Sequence, residues 1–331
     1  GEALLTLTKA CPRFEEERFR QARADALQAL RARGDGAGQV EQLEWLRLVY
    51  GERFWLNRLA TAASLGAVTV DDCRLMVERL VRAGNLVVAV AGDFDPTTTA
   101  GLLETTLGTL PPFEGKLPAV PQPEPAAGGG VWLLDWPGSV QARVVLGHQG
   151  LPLGHPDEVP LLAVDQVLGG SFTSRLVRRI RSEEGLSYDV YSIASFAPGF
   201  PGTLRVGFQT RSSTCAHATA VALEVVRGLR RDEVSPAELG RVREALLAHL
   251  PERFGAAATA AVALAEDELD GRPPGYWSRY RDRVTTLTAA ELRAAAERHL
   301  DPERLRVLVI GDRQAIEEPH PDHRETLADL G

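Results

Sequence analysis

The stretch Thr69–Gly92, TVDDCRLMVERLVRAGNLVVAVAG, and the stretch Thr288–Gly311, TAAELRAAAERHLDPERLRVLVIG, align without a gap, and an aspartate follows each. Both begin with a threonine suited to cap a helix, continue through a helical pattern and a break, and end in an apolar run typical of a buried strand. A repeat of this length indicates a duplicated structural unit. We therefore predict a helix and then a strand in each copy, with the first strand at 85–91.

The repeat extends upstream of both stretches. A helical pattern covers 14–33, and a second one begins at Ser235-Pro236 and has Glu238 three residues after the capping serine. Residues 14–93 and 235–312 are therefore predicted to be equivalent half-domains. The second copy follows a long segment that the first copy lacks, so we expect the first domain to be incomplete; a naturally short protein is the alternative.

The domain organisation follows from this repeat. We predict that 1–111 is the C-terminal part of a first domain, that the segment 112–130, rich in Pro, Gly and Ala, is a linker, and that 131–331 is a second domain. Strand patterns come first in the second domain and helical patterns follow. That order favours an α+β fold of duplicated domains, in which helices pack on one face of a mostly antiparallel sheet.

Composition excludes some classes of function. The chain has 331 residues and a formal net charge of −8, which makes nucleic acid an unfavourable partner. No apolar run is long enough to span a membrane. Arginine far outnumbers lysine, which suggests a GC-rich bacterial genome, and the compartment stays open between cytoplasm and periplasm. Three widely separated cysteines, Cys11, Cys73 and Cys215, form neither a zinc knuckle nor a disulfide framework.

The histidines do not form a metal motif in sequence. His320-Pro-Asp-His323 has the spacing of a ligand pair, but it lies in a proline-broken tail without a third ligand nearby. His155-Pro-Asp-Glu158 is interpreted as a loop and a helix start. We therefore predict no metal site in this chain. The full set of histidines is His148, His155, His217, His249, His299, His320 and His323.

The most diagnostic stretch runs from Leu168 to Tyr188, LGGSFTSRLVRRIRSEEGLSY. It resembles the C-terminal domain of the insulinase/pitrilysin-type zinc metallopeptidases, the group that includes mitochondrial processing peptidase. A composite match of this kind is more specific than any single short motif. The residues that carry the resemblance are Gly169, Gly170, Ser174, Arg175, Leu176, Arg181, Gly185, Leu186 and Tyr188.

The resemblance implies a substrate-binding role for four residues. Arg181 and Tyr188 would reach across a chamber to a peptide held at the zinc site of another domain, and the Gly169-Gly170 turn would let backbone approach that peptide closely. A guanidinium can fork onto a peptide oxygen, and a phenol can donate to an oxyanion. The alternative interpretation is structural: Arg181 would be a surface helix residue, and Tyr188 a strand residue that covers the core.

The catalytic half of that family's signature is absent from this sequence. Its catalytic members carry H-x-x-E-H, in which two histidines bind zinc and the glutamate is the base, and this chain has no such motif. The resemblance places the third zinc ligand in the middle of the helix 14–33. That stretch, 21–28, offers only Asp25 as a carboxylate. Zinc is therefore expected in a partner or partner domain and not in this chain.

We interpret the chain as a non-catalytic subunit that pairs with a zinc-bearing peptidase subunit, or with a second copy, to enclose peptides or unfolded protein segments. It would assist peptide hydrolysis but be inactive by itself. One alternative is an active zinc endopeptidase whose H-x-x-E-H motif lies in a missing N-terminal region. A second is a purely structural subunit, as in the core subunits of respiratory complex III.

Overall fold

The computed structural model describes residues 14–124 and 128–330. Its α-helices are α1 (Glu16–Arg31), α2 (Ala37–Tyr50), α3 (Ala62–Ala67), α4 (Val70–Leu80), α5 (Pro96–Thr106), α6 (Glu158–Leu168), α7 (Cys215–Arg231), α8 (Pro236–Phe254), α9 (Ala257–Leu269), α10 (Tyr276–Thr286), α11 (Ala289–His299) and α12 (Arg313–Glu317). Its strands are β1 (Gly130–Asp135), β2 (Gln141–Gln149), β3 (Val190–Ala194), β4 (Thr203–Arg211) and β5 (Arg306–Gly311). A π-helical segment covers Val177–Glu183, and short 3₁₀ turns complete the fold, the last at Leu327–Leu330.

The chain packs as two compact units, each built from separate stretches. The first unit contains the described residues of 1–33 together with 59–119 and 250–273. The second contains 34–58, the described residues of 120–249, and 274–330. This division by packing is not the division at 112–130, because helix α2 packs within the second unit. The assignment of 1–111 and 131–331 to two domains of one family stays a prediction.

The sheet of the second unit has the strand order β1-β5-β2-β4-β3. Strand β1 runs parallel to β5, whereas the β5–β2, β2–β4 and β4–β3 pairs are antiparallel. The sheet is therefore mostly antiparallel, and the predicted α+β fold is confirmed.

Both faces of this sheet are covered. On one face, Val145 and Leu308 pack against Trp45 of α2. On the other face, Val144 and Leu146 are buried on the side of helices α6, α7 and α11. Successive side chains of a strand alternate between faces, so the apolar run of β2 is buried throughout. The sequence predicted helices on one face, and helix α2 adds a layer on the opposite face.

The helix starts of the two repeats are built alike. The Thr69 hydroxyl accepts a hydrogen bond from the Asp72 backbone N–H, and the Asp72 carboxylate accepts one from the Thr69 N–H. Thr288 and Glu291 form the same reciprocal pair at the start of α11. Each such capping box satisfies two N–H groups that a helix terminus leaves free. Four α-helices follow one another in each repeat, α1 to α4 in the first and α8 to α11 in the second.

The prediction of a strand at 85–91 is wrong. These residues form no ladder in the structure, and the apolar side chains of Val87, Val88 and Val90 are 37%, 47% and 40% exposed. The equivalent strand β5 pairs with β1 and β2, which are supplied by the segment before the second repeat. Among the described residues, the first unit contains no corresponding strands. An apolar run becomes a strand only where neighbouring strands accept its hydrogen bonds.

We predict that Gly147→Ala, in the middle of β2, destabilises the protein by at least about 3 kcal/mol. A Cβ at Gly147 would lie 1.9 Å from the carbonyl oxygen of Leu204, and both strands are held in register on each side. The matched control is Gly240→Ala in α8, where a Cβ meets no heavy atom within 4 Å. This control should stabilise the helix by about 0.5–1 kcal/mol. Urea unfolding measures both changes, and equal effects of the two variants would contradict the packing described.

Candidate functional site

The segment that carries Arg181 is wound as a π-helix. The segment begins as an α-helical turn at Arg175, and from Val177 to Glu183 its turns widen. Val177 and Ile180 are buried and anchor the segment, and Gly185 ends it with a φ of 63°. π-Helical turns are rare and occur frequently at functional sites, which directs attention to the side chains that this segment presents.

Arg181 stacks against aromatic rings. Its guanidinium carbon lies 4.4 Å from the centre of the Tyr188 ring and 5.9 Å from that of Phe172. Both rings are unusually open, with Tyr188 83% exposed and Phe172 84% exposed. Large exposed rings beside an arginine are typical of recognition surfaces. The interpretation of Tyr188 as a strand residue covering the core is wrong, because Tyr188 precedes β3 and points to solvent.

The structure brings all four predicted substrate-binding residues together. Gly169, Gly170, Arg181 and Tyr188 line one open pocket of about 210 Å³. Its lining also includes the side chains of Phe172, Asp189 and Tyr191. Geometry alone does not assign these residues a ligand, and their role in peptide binding stays a prediction.

The charge of Arg181 is not neutralised by a carboxylate in the part of the chain that the structure describes. Its neighbours on the segment are paired: Arg178 with Glu183 at 3.5 Å, and Arg179 with Glu184 at 2.6 Å. The guanidinium of Arg181 instead keeps its aromatic contacts, which fix its plane without consuming its hydrogen-bond donors. It can therefore donate a forked pair of hydrogen bonds to a carbonyl or carboxylate.

Gly169 is required by local packing, whereas the shortest contact at Gly170 is with a flexible side chain. A Cβ at Gly169 would lie 2.5 Å from the backbone nitrogen of Ser192 in β3, and one at Gly170 would lie 2.8 Å from the Gln166 amide nitrogen. The sequence-based interpretation was that these glycines let a peptide approach. The close approach that the structure shows is that of β3 to the end of α6.

Asp165, whose carboxyl group is largely covered by its neighbours, holds this turn, and it was not among the site residues predicted from the sequence. The Asp165 backbone carbonyl accepts hydrogen bonds from the N–H groups of Gly169 and Gly170. The Ser192 hydroxyl lies 2.6 Å from Asp165 Oδ1 and 3.0 Å from the Asp165 carbonyl oxygen, within donating distance of both. Burial raises the pKa of Asp165 to about 6, against the lowering effect of hydrogen bonds from Ser192 and Ala194. The available signal was Asp165 itself, the one acidic residue of the apolar helix pattern EVPLLAVDQVL beyond Glu158 at its start.

The position that the resemblance gives to a third zinc ligand does not form a metal cluster. Asp25 is exposed and accepts a hydrogen bond of 2.8 Å from Gln21 on the same helix. Within residues 14–124 and 128–330, two groups of potential ligands lie close together, and neither includes Asp25. One group contains His155, Asp157 and His299, and the other contains His217, His323 and Glu325.

The family follows from a match over more than half of the chain. Residues 67–246 match the family model described as the peptidase M16 inactive domain. The chain belongs to the peptidase M16 inactive-domain family. This assignment confirms the resemblance carried by 168–188, and it means that the matched region is of the non-catalytic domain type.

Curated relatives carry two kinds of name. A Bacillus subtilis protein called uncharacterized zinc protease YmxG is 27% identical over 186 residues, which is 56% of this chain and 44% of the relative. A Helicobacter pylori protein called non-peptidase homolog YmxG is 26% identical over 253 residues, or 73% of this chain and 56% of the relative. The chain thus spans about half the length of these relatives.

A solved M16 structure shares the fold. The crystal structure of a peptidase M16 inactive domain from Pseudomonas fluorescens has a TM-score of 0.83 and 21% sequence identity, and the likeness covers 94% of this chain and 74% of that one. At this identity the comparison supports the fold alone. No helix among the described residues has the length and apolarity needed to cross a membrane.

The buried Asp165 generates a pH-dependent prediction. Its folded-state pKa of about 6 lies above the ordinary value of 3.8, so the folded chain binds more protons than the unfolded chain between these values. Stability should therefore fall as pH rises through this window. Asp165→Asn stays neutral, so its stability relative to wild type should rise by on the order of 1–3 kcal/mol between pH 4 and pH 7.

The control for this experiment is Asp189→Asn, which changes an exposed aspartate at the same pocket. A substitution at an exposed position of this kind usually changes stability by no more than about 0.5 kcal/mol, so this variant reports the general effect of an Asp→Asn change at the pocket. Urea unfolding at a series of pH values measures both variants. A pH-independent difference for Asp165→Asn would show that Asp165 is not held as described.

Proposed function

We propose that this chain is a non-catalytic M16 subunit that holds an extended peptide for a zinc-bearing partner. The observation that carries the proposal is the Arg181 guanidinium, stacked on Tyr188, without a carboxylate partner in the described residues, and open to a pocket. An arginine whose plane is fixed and whose donors are free is suited to bind peptide oxygens. Membership of the inactive-domain family supports the non-catalytic role.

The pocket offers complementary contacts to a peptide. Arg181 would donate to a backbone carbonyl or to a terminal carboxylate, and the Tyr188 hydroxyl would donate to a second oxygen. The exposed face of Phe172 would contact an apolar side chain, which removes apolar area from water. These contacts would recognise the peptide backbone and apolar side chains in general, and not a particular amino-acid sequence. Unfolded segments are therefore the expected substrate class.

Hydrolysis would take place on a partner. This chain contains no H-x-x-E-H motif, and Asp25 is not joined by other ligands in the described residues. A zinc-bearing M16 subunit, or a partner domain, would supply the metal that activates water, and this chain would supply a wall of the chamber. The name of the Helicobacter pylori relative, non-peptidase homolog, agrees with a non-catalytic chain whose partner carries out hydrolysis.

The proposal predicts that Arg181→Ala lowers peptide cleavage by the assembly of this chain with a zinc-bearing M16 partner from the same genome. Loss of a guanidinium contact in the transition state costs on the order of 2–4 kcal/mol, which is about 30- to 1000-fold in kcat/KM. Fluorogenic peptides measure kcat/KM for each variant. The matched control is Arg178→Ala, which removes an exposed arginine of the same segment that is not among the residues lining the pocket.

Two outcomes would favour the alternatives. Chelator-sensitive cleavage by the full-length protein without any partner would favour an active zinc endopeptidase. Unchanged kcat/KM for Arg181→Ala in an active assembly would favour a purely structural subunit. The proposal expects no cleavage by the chain alone, and a loss confined to Arg181→Ala.

A further inference from the structure

His217 lies in the first turn of α7, where its imidazole ring is held between two glutamates. Nε2 is 2.6 Å from a Glu184 carboxylate oxygen, and Nδ1 is 3.2 Å from a carboxylate oxygen of Glu325 in the C-terminal tail. Nδ1 is nevertheless a buried nitrogen without a hydrogen-bond partner among the described residues. The ring itself is largely buried, with 16% of the side chain exposed.

The two ring nitrogens of His217 have different surroundings. Nε2 shares its carboxylate, Glu184, with the Arg179 guanidinium, which lies 2.6 Å from that carboxylate. Nδ1 faces a carboxylate oxygen of Glu325 in the tail. An imidazole nitrogen and a carboxylate oxygen that face each other are two ligands that one metal ion can bind.

A second imidazole completes the arrangement. The His323 ring stacks on His217 with ring centres 3.8 Å apart and planes 11° from parallel. One ligand atom each from His217, His323 and Glu325 can be chosen so that all three lie within 4.8 Å of one another. Two imidazole nitrogens and one carboxylate oxygen are a donor set that zinc uses in proteins, with a fourth position left for water.

We propose that His217, His323 and Glu325 form a site for a divalent transition-metal ion of the zinc type, with Glu184 as the carboxylate that orients His217. Metal-bound histidines usually donate their second ring N–H to a carboxylate, which is the contact that Glu184 makes. The three ligands need to converge to separations of roughly 3.3–3.5 Å around a tetrahedral zinc. An imidazole binds a metal through a lone pair in the plane of its ring, so His323 would have to turn out of its stack on His217. Rotation of His323 and of the more exposed Glu325, both in the tail, would bring the three ligands together.

The other cluster of potential ligands is less suited to a cation. Asp157 already accepts two hydrogen bonds from the Arg298 guanidinium and lies 2.7 Å from His299 Nε2. A metal ion there would have to displace a guanidinium from its carboxylate. In the proposed site, the Arg179 guanidinium binds Glu184, which is not itself a ligand. Among the described residues, the ligand Glu325 forms an ion pair with His217 alone.

The proposed site revises the expectation from sequence. His320 and His323 have the spacing of a ligand pair, but His320 Nδ1 accepts a hydrogen bond from the Asp322 backbone N–H. The partner of His323 is instead His217, which lies far away in sequence. A metal bound here would join the tail to α7 and to Glu184, the residue that directly follows the π-helical segment containing Arg181.

Isothermal titration of the metal-stripped full chain with ZnCl₂ tests the proposal. Wild type should bind one equivalent with a dissociation constant in the micromolar range or below. His323→Ala and Glu325→Gln change tail residues without threatening the core, and each should weaken binding by on the order of 100-fold or more. Glu184→Gln, which leaves the ligands in place, should weaken it by about 10- to 100-fold.

The controls are His320→Ala, beside the site, and His155→Ala, in the other cluster, and both should bind zinc like wild type. Cobalt(II) absorption provides a second readout, because a tetrahedral site gives intense visible bands that His323→Ala should remove. Absence of saturable zinc binding by wild type would overturn the proposal. Binding that survives both tail substitutions, or that is lost in His155→Ala, would overturn it as well.

Discussion

One buried contact determines the shape of the candidate site. Asp165, at the end of α6, contacts the Ser192 hydroxyl of β3 through its carboxylate, and its backbone carbonyl binds the two glycines that follow the helix. The helix end, the Gly169-Gly170 turn and the strand are thereby fixed in one arrangement. Because the carboxylate is buried, this contact is strong when satisfied and costly when charged at neutral pH. Holding the site in this arrangement therefore lowers the free energy of unfolding of the protein at neutral pH.

Features governed by local chemistry could be predicted from the sequence. The capping threonines Thr69 and Thr288 are each recognisable from an acidic residue three positions later, and both form the expected hydrogen bonds. The order of the patterns in the second domain, strands first and helices afterwards, predicted the α+β class and its mostly antiparallel sheet. The family resemblance, together with the glycine and arginine spacing of 168–188, pointed to residues that the structure brings into one pocket.

Features governed by distant neighbours could not be predicted in this way. The apolar run 85–91 satisfies a strand pattern, but its pairing depends on strands that the described first unit does not contain. Helix α2 was assigned to the first half, yet Glu41 pairs with Arg143 of β2 at 2.6 Å, and Trp45 enters the core of the second unit. The approach of His217 to the tail depends likewise on tertiary packing, so sequence spacing alone gave no signal for it.

The central claim is that the exposed ring-and-guanidinium surface at Arg181 binds peptides without cleaving them. A photoreactive phenylalanine analogue at position 172, which is 84% exposed beside Arg181, tests it by crosslinking to an unfolded peptide. The same analogue at position 140, where Val140 is 80% exposed, is the control. The account predicts crosslinks to intact peptide at 172 that Arg181→Ala reduces, and few at 140. Equal labelling at both positions, or cleaved peptide in the crosslinked product, would contradict it.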